Sequence, residues 1–445
     1  MAKLSPFKAL RYDSAKVKDL GKVVAPPYDI IAPREQDFYY NLHSHNVIRL
    51  DFGKVLSGDD ANRNKYSRAA TLLKLWREQG VLKTDAKPAL YVASQTYTAP
   101  GGAKKTFTGV YAQLSLEDYK KGVVRPHEKT LSKPKADRLE LTKATLTNFS
   151  PIFFLYDDAK GATLKWMAAQ MKKKPAFDFR TPDGERHKLW VVDSGPQAKA
   201  FTGKLAKAPV YIADGHHRYE TMLRYSKEAP KAVKASAAQT LVCLTPFQNP
   251  GLIILPTHRL VHGLKGFNGS KLRQSLAADF VVKPQPSLAA LEREMEKASK
   301  AGESAYKKSP KSKALWSGHC FGLVLAEGYF SLSLKPGTDL LKAVKDRRSA
   351  AYKGLDVSLL QALVLEKQLG MTPESIAAQE NLFFEKGADK ASRSVLSGQA
   401  QVGFLLNPTR MDQLKAVSDA KDVMPQKSTY FQPKLITGAV LRAMA

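Results

Sequence analysis

Hydrophobic positions along the chain form short continuous or alternating runs, separated by longer stretches in which apolar residues recur every three or four positions. The first pattern is typical of strands and the second of amphipathic helices. It predicts helices at residues 61–79, 133–145 and 165–172, and a further helix from residue 216. It predicts strands at residues 46–54, 89–97, 106–116, 151–156, 187–193, 210–212, 240–248 and 252–261.

The pattern changes beyond about residue 262. Lys, Ser and Ala dominate residues 287–313, which indicates an exposed helix and a linker. Residues 319–335 predict a hairpin, residues 357–370 a helix, and residues 401–408 a strand followed by another helix. We therefore expect an α/β (α+β) protein with mixed sheets. It comprises a first region at 1–262 and a C-terminal α/β region at 263–445, whose tail packs back on the first.

Composition narrows the class of protein. No stretch approaches the roughly 18 apolar residues of a membrane span, and the first residues contain no apolar core of signal-peptide length. Cys243 and Cys320 are too few for a disulfide framework or a thiolate metal site. We expect a soluble protein of a reducing cytoplasm, with no membrane partner.

The formal charge of the chain is +29. Such a charge is typical of nucleic-acid-binding proteins, but lysine exceeds arginine and the charge is spread along the whole chain. A solvated lysine surface is therefore the favoured interpretation, with nucleic acid kept as an alternative partner. A positive field also attracts small phosphorylated ligands.

The densest chemistry follows the apolar run at Val210, in the string DGHHR from Asp214 to Arg218. A strand that turns through glycine into a helix presents backbone N–H groups and a partly positive helix end, which is a site for anions. Gly215, His216, His217 and Arg218 are the candidate phosphate ligands. The alternative is structural, with Asp214 capping the helix. A metal site on the adjacent histidines, with His127 or His258, is a further alternative.

Two other clusters carry candidate chemistry. In RPHEKT, His127 and Glu128 place a base beside an acid, followed by Lys129 and Thr130; the alternative is a salt-bridged loop. In VAPPYDII, Pro26-Pro27 forces an extended or turning segment that presents Tyr28 and Asp29. The alternative there is a rigid loop leading into a helix at Pro33.

Residues Thr257, His258 and Arg259 follow Pro256 in a predicted strand. His258 is interpreted first as a hydrogen-bonded structural histidine. It becomes an anion ligand, together with Arg259, only if it faces the Asp214 turn.

The strings PFKALRYD, VAPPYDII, NVIRLDFGK, RPHEKT, YIADGHHRYET and MPQKSTYFQPK occur in order from the first residues to the last. Together they resemble the family of domain of unknown function 1015 (DUF1015). More distantly, the DGHHR turn is similar to the phosphate-contacting element of the ParB/sulfiredoxin-like superfamily, which includes free serine kinases. The reactive cysteine of sulfiredoxin is absent from this turn, so peroxiredoxin repair is not expected.

The distant resemblance implies an ATP- or ADP-dependent phosphotransferase acting with Mg²⁺ on a hydroxyl such as that of free serine. Asp214 would sit beside the accepting hydroxyl or the metal, and Gly215 to Arg218, with Lys129 and Thr130, would hold the phosphates. Asp214 or Glu128, with His127, would accept the proton. Tyr28, Asp29, His258 and Arg259 would contact the substrate. The alternative is a regulatory protein of ParB-like type, associated with nucleic acid or sensing a nucleotide without turnover.

Overall fold

The computed structural model describes residues 2–130, 132–206, 208–308 and 316–445. The chain forms two compact units. Unit 1 comprises Met1–Pro126, Thr130–Ile253 and Phe431–Ala445, and unit 2 comprises His127–Lys129 and Ile254–Tyr430. The linker predicted at the end of residues 287–313 lies partly outside the described residues. Among the described helices, none is long and apolar enough to cross a membrane.

Unit 1 is built on a mixed β-sheet, which has nine strands within the described part of the chain. Eight of them follow one another across the sheet, and the ninth, Leu4–Ser5, pairs beside Lys104–Ser115. Their order is Val124–Arg125, Val210–Asp214, Ile152–Tyr156, Gln239–Pro246, Lys104–Ser115, Ala89–Thr98, Arg186–Asp193 and Phe177–Arg180. The strand Val210–Asp214 runs parallel to Val124–Arg125, and Gln239–Pro246 runs parallel to Ile152–Tyr156. The remaining pairs are antiparallel.

Apolar residues on both faces of the central strands explain why these segments form a buried sheet. Ile152, Phe154 and Tyr156 belong to one large apolar cluster, and Phe153, on the opposite face, packs against the ring of Phe107. All the side chains of Ile152–Tyr156 are buried. A run that is apolar at every position is therefore a central strand here, as the sequence predicts.

The helices of unit 1 are Pro33–Leu42, Ile48–Asp51, Lys65–Glu78, Ser132–Thr145, Ala162–Gln170, Pro196–Leu205, His216–Glu228 and Lys234–Ala237. The predicted amphipathic segments correspond to Lys65–Glu78, Ser132–Thr145, Ala162–Gln170 and His216–Glu228, whereas Pro196–Leu205 and Lys234–Ala237 were not predicted. Short 3₁₀ turns lie at Leu20–Lys22, Tyr28–Ile30, Tyr119–Lys121 and Lys231–Val233. Two small strand pairs complete the unit, Leu10–Tyr12 with Leu82–Thr84 and Thr147–Asn148 with Arg442–Ala443.

The predicted strand at residues 46–54 is wrong. The structure forms a short helix, Ile48–Asp51, at this place. The side chain of Asn46 is buried, accepts a hydrogen bond from the Ile48 N–H at 2.9 Å and donates to the carbonyl oxygens of Lys22 and Val24. These bonds turn the backbone before a ladder can form, so a buried amide overrides the β-branched pattern.

Unit 2 contains an antiparallel sheet, six-stranded within its described residues, with helices around it. The strand order is Phe280–Gln285, Gly328–Leu334, Cys320–Leu325, Val402–Leu405, His258–Val261 and Leu382–Glu385. Its helices are Gly269–Leu276, Leu288–Lys308, Leu340–Ala343, Ala350–Lys353, Asp356–Leu360, the π-helical Gln361–Glu366, Pro373–Ala378, Ala388–Leu396 and Met411–Asp419. The predicted strand at 252–261 is divided into Ile253–Leu255 and His258–Val261, on either side of Pro256. Tyr430–Gln432 is a further short strand.

Candidate functional site

The DGHHR turn has the local structure that the sequence predicts. The strand Val210–Asp214 ends directly before Gly215, and the helix His216–Glu228 begins directly after it. Gly215 has φ 92° and ψ 30°, in the left-handed region that glycine adopts readily. No side chain caps this helix start in the described structure. The turn is therefore a helix N-terminus with positive potential, as an anion site requires.

The carboxylate of Asp214 lies between two cations. Oδ2 is 3.3 Å from Nη2 of Arg218, and Oδ1 is 3.5 Å from Nζ of Lys434. Burial alone would raise the pKa of Asp214, but the charges of Lys434 and Arg218 outweigh it and hold the pKa below its ordinary value. Asp214 is thus a fixed anion and a weak base. Gly215 occupies the N-cap position of the helix, and its backbone N–H donates a hydrogen bond to the carboxylate of Asp214.

Arg218 points back into unit 1. Its side chain is 11% exposed, and its guanidinium donates to the carbonyl oxygen of Pro151 and to the carboxylate of Asp214. It also lines a small cavity of about 40 Å³. In this structure the contacts of Arg218 hold the turn in place.

A buried ion pair, formed by Asp51 and Arg138, lies near Arg218. Arg138 Nη1 is 3.0 Å from Asp51 Oδ1, both side chains are less than 10% exposed, and Ser150 donates to the same carboxylate at 3.3 Å. Both charged residues line the same small cavity as Arg218. Neither Asp51 nor Arg138 is among the candidate residues predicted from the sequence. Both lie in segments that carry several charges, NVIRLDFGK and KADRLELTKAT, and no local pattern separates the buried charges from the exposed ones.

The PPYD segment belongs to this site. The guanidinium of Arg138 lies 4.0 Å from the centre of the Tyr28 ring, and burial raises the pKa of Tyr28 to about 12. Asp29 is exposed and has no hydrogen bond or ion pair within the described ranges of the chain. Burial lowers the pKa of His217, and the charge of Asp29 acts against that shift. The structure thus brings Tyr28 and Asp29 together with the DGHHR turn.

Glu220, one turn further along the helix, organises the other side of the helix start. Its carboxylate accepts hydrogen bonds from Thr130 Oγ1 at 2.6 Å and from Lys135 Nζ at 2.9 Å. Its charge also acts on the imidazole of His217. Thr130, predicted to contact a phosphate, therefore contacts a carboxylate of its own chain in this structure.

The other candidate residues are counted with unit 2. His127 is buried, with Nε2 2.9 Å from Thr429 Oγ1, and it precedes Glu128 in the same loop. His258 accepts a hydrogen bond from the Leu406 N–H through Nδ1, and burial lowers its pKa to about 4. These contacts agree with the interpretation of His258 as a hydrogen-bonded structural histidine.

Within the described ranges of the chain, no group of three or more His, Cys, Asp or Glu side chains is arranged to hold a metal ion. Both oxygens of Asp214 lie beside cationic side chains, so this carboxylate is not placed to bind Mg²⁺ in this structure.

The protein therefore has a mixed-sheet α/β fold, in which a helix begins directly after Gly215 and lies beside a buried cluster of charged residues. A family model described as "Protein of unknown function (DUF1015)" matches residues 4–358, and the chain belongs to that family. No curated protein matches the chain.

Several solved structures are similar to this chain at low identity. One is a free serine kinase in complex with AMP, at 12% identity and TM-score 0.34, covering 73% of this chain and 86% of that chain. A conserved hypothetical protein from Pyrococcus furiosus has 14% identity and TM-score 0.33, with coverages of 76% and 95%. SbnI with C-terminal truncation from Staphylococcus aureus has 10% identity and TM-score 0.33, with coverages of 72% and 84%. Similarities of this size do not establish a function.

Proposed function

We propose that this protein is a nucleotide-dependent small-molecule kinase that phosphorylates a hydroxyl such as that of free serine. The observation that supports the proposal is the helix start at Gly215, with the exposed carboxylate of Asp29 acting on His217 beside it. Phosphoryl transfer depends mainly on positioning and on neutralising charge, which a helix N-terminus and nearby cations supply. The donor is ATP or ADP, bound as its Mg²⁺ complex.

In the proposed complex, the phosphates lie over Gly215 and the first helical turn. Gly215 allows the closest backbone approach because it has no side chain. His217 is neutral near pH 7, since burial lowers its pKa, so its imidazole adds a hydrogen bond without adding a charge. Arg218 acts indirectly as a positioning residue, because its guanidinium holds Asp214 and Pro151.

The structure favours Asp29 over Asp214 as the proton acceptor in this proposal. Asp214 is held between Lys434 and Arg218 with a lowered pKa, whereas Asp29 is exposed next to the proposed phosphate site. The substrate hydroxyl oxygen forms a bond to the terminal phosphorus of the nucleotide. The bond from that phosphorus to the bridging oxygen breaks, its electron pair stays with the departing nucleotide, and the hydroxyl proton passes to Asp29.

A nucleotide-sensing protein without turnover is the second candidate. The mutual contact of Arg218 and Asp214 favours it, because each of these two charges is already paired within the chain. The charge of +29 suggests association with nucleic acid, but this charge is spread along the whole chain instead of being gathered in one segment. Measurement of turnover separates these candidates.

The first experiment is calorimetric titration of the full chain with ATP, ADP and AMP in the presence of Mg²⁺. The second is ³¹P NMR of a mixture of protein, serine and whichever of ATP and ADP binds more tightly. We expect saturable binding and a phosphoserine signal. Asp29→Asn should lower turnover by about 10²-fold or more with little change in nucleotide affinity, as expected for loss of a general base.

The matched control is Asp193→Asn, which neutralises an exposed carboxylate at the end of Arg186–Asp193. It should leave both binding and turnover unchanged. Binding without any product would favour the sensing protein, and absence of binding by all three nucleotides would overturn both candidates.

A further inference from the structure

Unit 2 contains a cavity of about 220 Å³ that both charged and apolar residues line. Three cationic residues line it, Lys129, Arg259 and Arg348, together with the acidic Asp346. Much of the remaining wall is apolar and includes Ile376, Ala377, Leu382, Phe384 and Met424. A cavity lined by both charged and apolar residues suits a ligand with a charged end and an apolar body.

Arg259 is the most unusual residue of this wall. Its side chain lies in the strand His258–Val261, and the residue is only 5% exposed. The guanidinium donates to the carbonyl oxygens of Thr257 and Gln426 and lies 5.3 Å from the centre of the Phe384 ring. No carboxylate in the described part of the chain forms an ion pair with it.

Charge balance around the cavity leaves one cation in excess. Arg348 is paired with Asp422 at 3.0 Å, and Asp346 is an acid in the same lining as Lys129. Burial lowers the pKa of Arg259 to about 9, which shows how unfavourable the uncompensated charge is at this position. Removing a guanidinium from water without a counter-ion costs several kcal/mol, so an anion in the cavity would stabilise it.

We propose that this cavity binds a small organic anion, whose carboxylate or phosphate oxygens contact Arg259 and Lys129 and whose short apolar body packs against Phe384 and Ile376. The cavity volume of about 220 Å³ has room for a molecule with a single ring. The site is independent of the proposed kinase reaction.

Calorimetric titration of the full chain, without nucleotide, tests this site with four probes. Benzoate carries the carboxylate, phenyl phosphate carries the phosphate, benzyl alcohol has a similar body without charge, and inorganic phosphate has the charge without the body. We expect one saturable site for benzoate or phenyl phosphate, with benzyl alcohol and inorganic phosphate at least tenfold weaker. The tighter of the two anions identifies the head group.

Two variants locate the binding. Ala377→Phe places a ring at the cavity wall from an exposed helical position, and should weaken binding at least tenfold. Ala378→Phe, at the next exposed position and outside the lining, is the matched control and should bind as the wild type does. Arg259→Lys keeps the positive charge but removes the planar guanidinium, which can donate two hydrogen bonds to one anion. It should weaken binding more than Arg393→Gln, which replaces an exposed arginine outside the lining of the cavity.

The proposal is overturned if neither benzoate nor phenyl phosphate gives a saturable isotherm, or if the neutral alcohol binds equally well. Unchanged affinity in folded Ala377→Phe would also overturn it. Circular dichroism establishes that each variant is folded before titration.

Discussion

Lys434 Nζ lies 3.5 Å from Asp214 Oδ1, although the two residues are far apart in the sequence. Phe431–Ala445, the last segment of the chain, is part of unit 1 and supplies this cation. Both side chains are mostly buried, at 15% and 21% exposed. The carboxylate of the candidate site therefore depends on the C-terminal end of the chain for its charged state.

Lys434→Met should destabilise the protein by about 1–3 kcal/mol at pH 7, because it leaves Asp214 buried with one cation fewer. The lowered pKa of Asp214 contributes stability that is present above the unfolded pKa of about 3.9 and is lost as pH falls through the folded pKa. The difference between variant and wild type should therefore shrink at acidic pH. Urea unfolding at pH 7 and near pH 3 measures it.

The control for this prediction is Lys54→Met, which removes an exposed ion pair with Asp37. Exposed pairs contribute about 0–1 kcal/mol, so this change should be small at both pH values. A Lys434→Met effect of the same size at pH 7 and pH 3 would contradict the electrostatic explanation.

Gly215→Ala should cost more than an ordinary glycine replacement. A Cβ at Gly215 would lie 3.0 Å from the guanidinium of Arg218, which is already held by two partners. The left-handed backbone conformation should lower the free energy of unfolding of Gly215→Ala by about 1–2 kcal/mol. The close contact of the new Cβ with Arg218 should lower it by a further amount of about 1–3 kcal/mol. Gly122→Ala shares the positive φ but meets nothing within 4 Å, so it isolates the backbone contribution. Equal losses in urea unfolding would mean that Arg218 is not held in place.

Asp51 and Arg138 should behave as a coupled buried pair. Arg138→Met alone should destabilise the protein by about 3–5 kcal/mol, because it leaves the carboxylate of Asp51 buried without its cation. Asp51→Asn should cost less, because Arg138 keeps its ion pair with Asp137. The double variant should lose clearly less than the sum of the two single losses. A double-mutant cycle by urea unfolding measures the coupling.

Glu140 and Lys143 provide the comparison pair. They are also joined at 3.0 Å, but both side chains are exposed, so their coupling should be about 0.2–1 kcal/mol. A coupling between Asp51 and Arg138 as small as this would show that their burial does not strengthen the pair.

His258 should make stability fall in mild acid. Its pKa is lowered by burial to about 4 from an ordinary 6.5, so the unfolded chain takes up a proton between these values while the folded chain does not. Stability is therefore full above pH 6.5 and decreases by about 3 kcal/mol as pH falls towards 4. His258→Gln should lose this part of the pH dependence, which urea unfolding at pH 7.5 and pH 4.5 measures. Identical pH dependence in both proteins would contradict the assignment.

Local features of the candidate site were predictable from the sequence. The apolar run before Asp214, the glycine and the amphipathic spacing after it act over a few neighbouring residues, and each one favours strand, turn or helix by itself. The strings that resemble the DUF1015 family, such as YIADGHHRYET, are likewise short runs of adjacent residues that can be read directly from the sequence. The prediction failed at residues 46–54, because the buried hydrogen bonds of Asn46 join segments that local spacing does not relate.

The sequence by itself determined that a strand passes through Gly215 into a helix, because backbone preference and periodicity are properties of adjacent residues. Only the tertiary structure decided that Arg218 turns inward, that Lys434 reaches Asp214 and that Arg138 is buried against Asp51 and Tyr28. Those contacts depend on which distant segments of the chain come together when the apolar side chains of the sheet are buried on folding. A charged residue has the same appearance in the sequence whether it meets solvent or a buried partner.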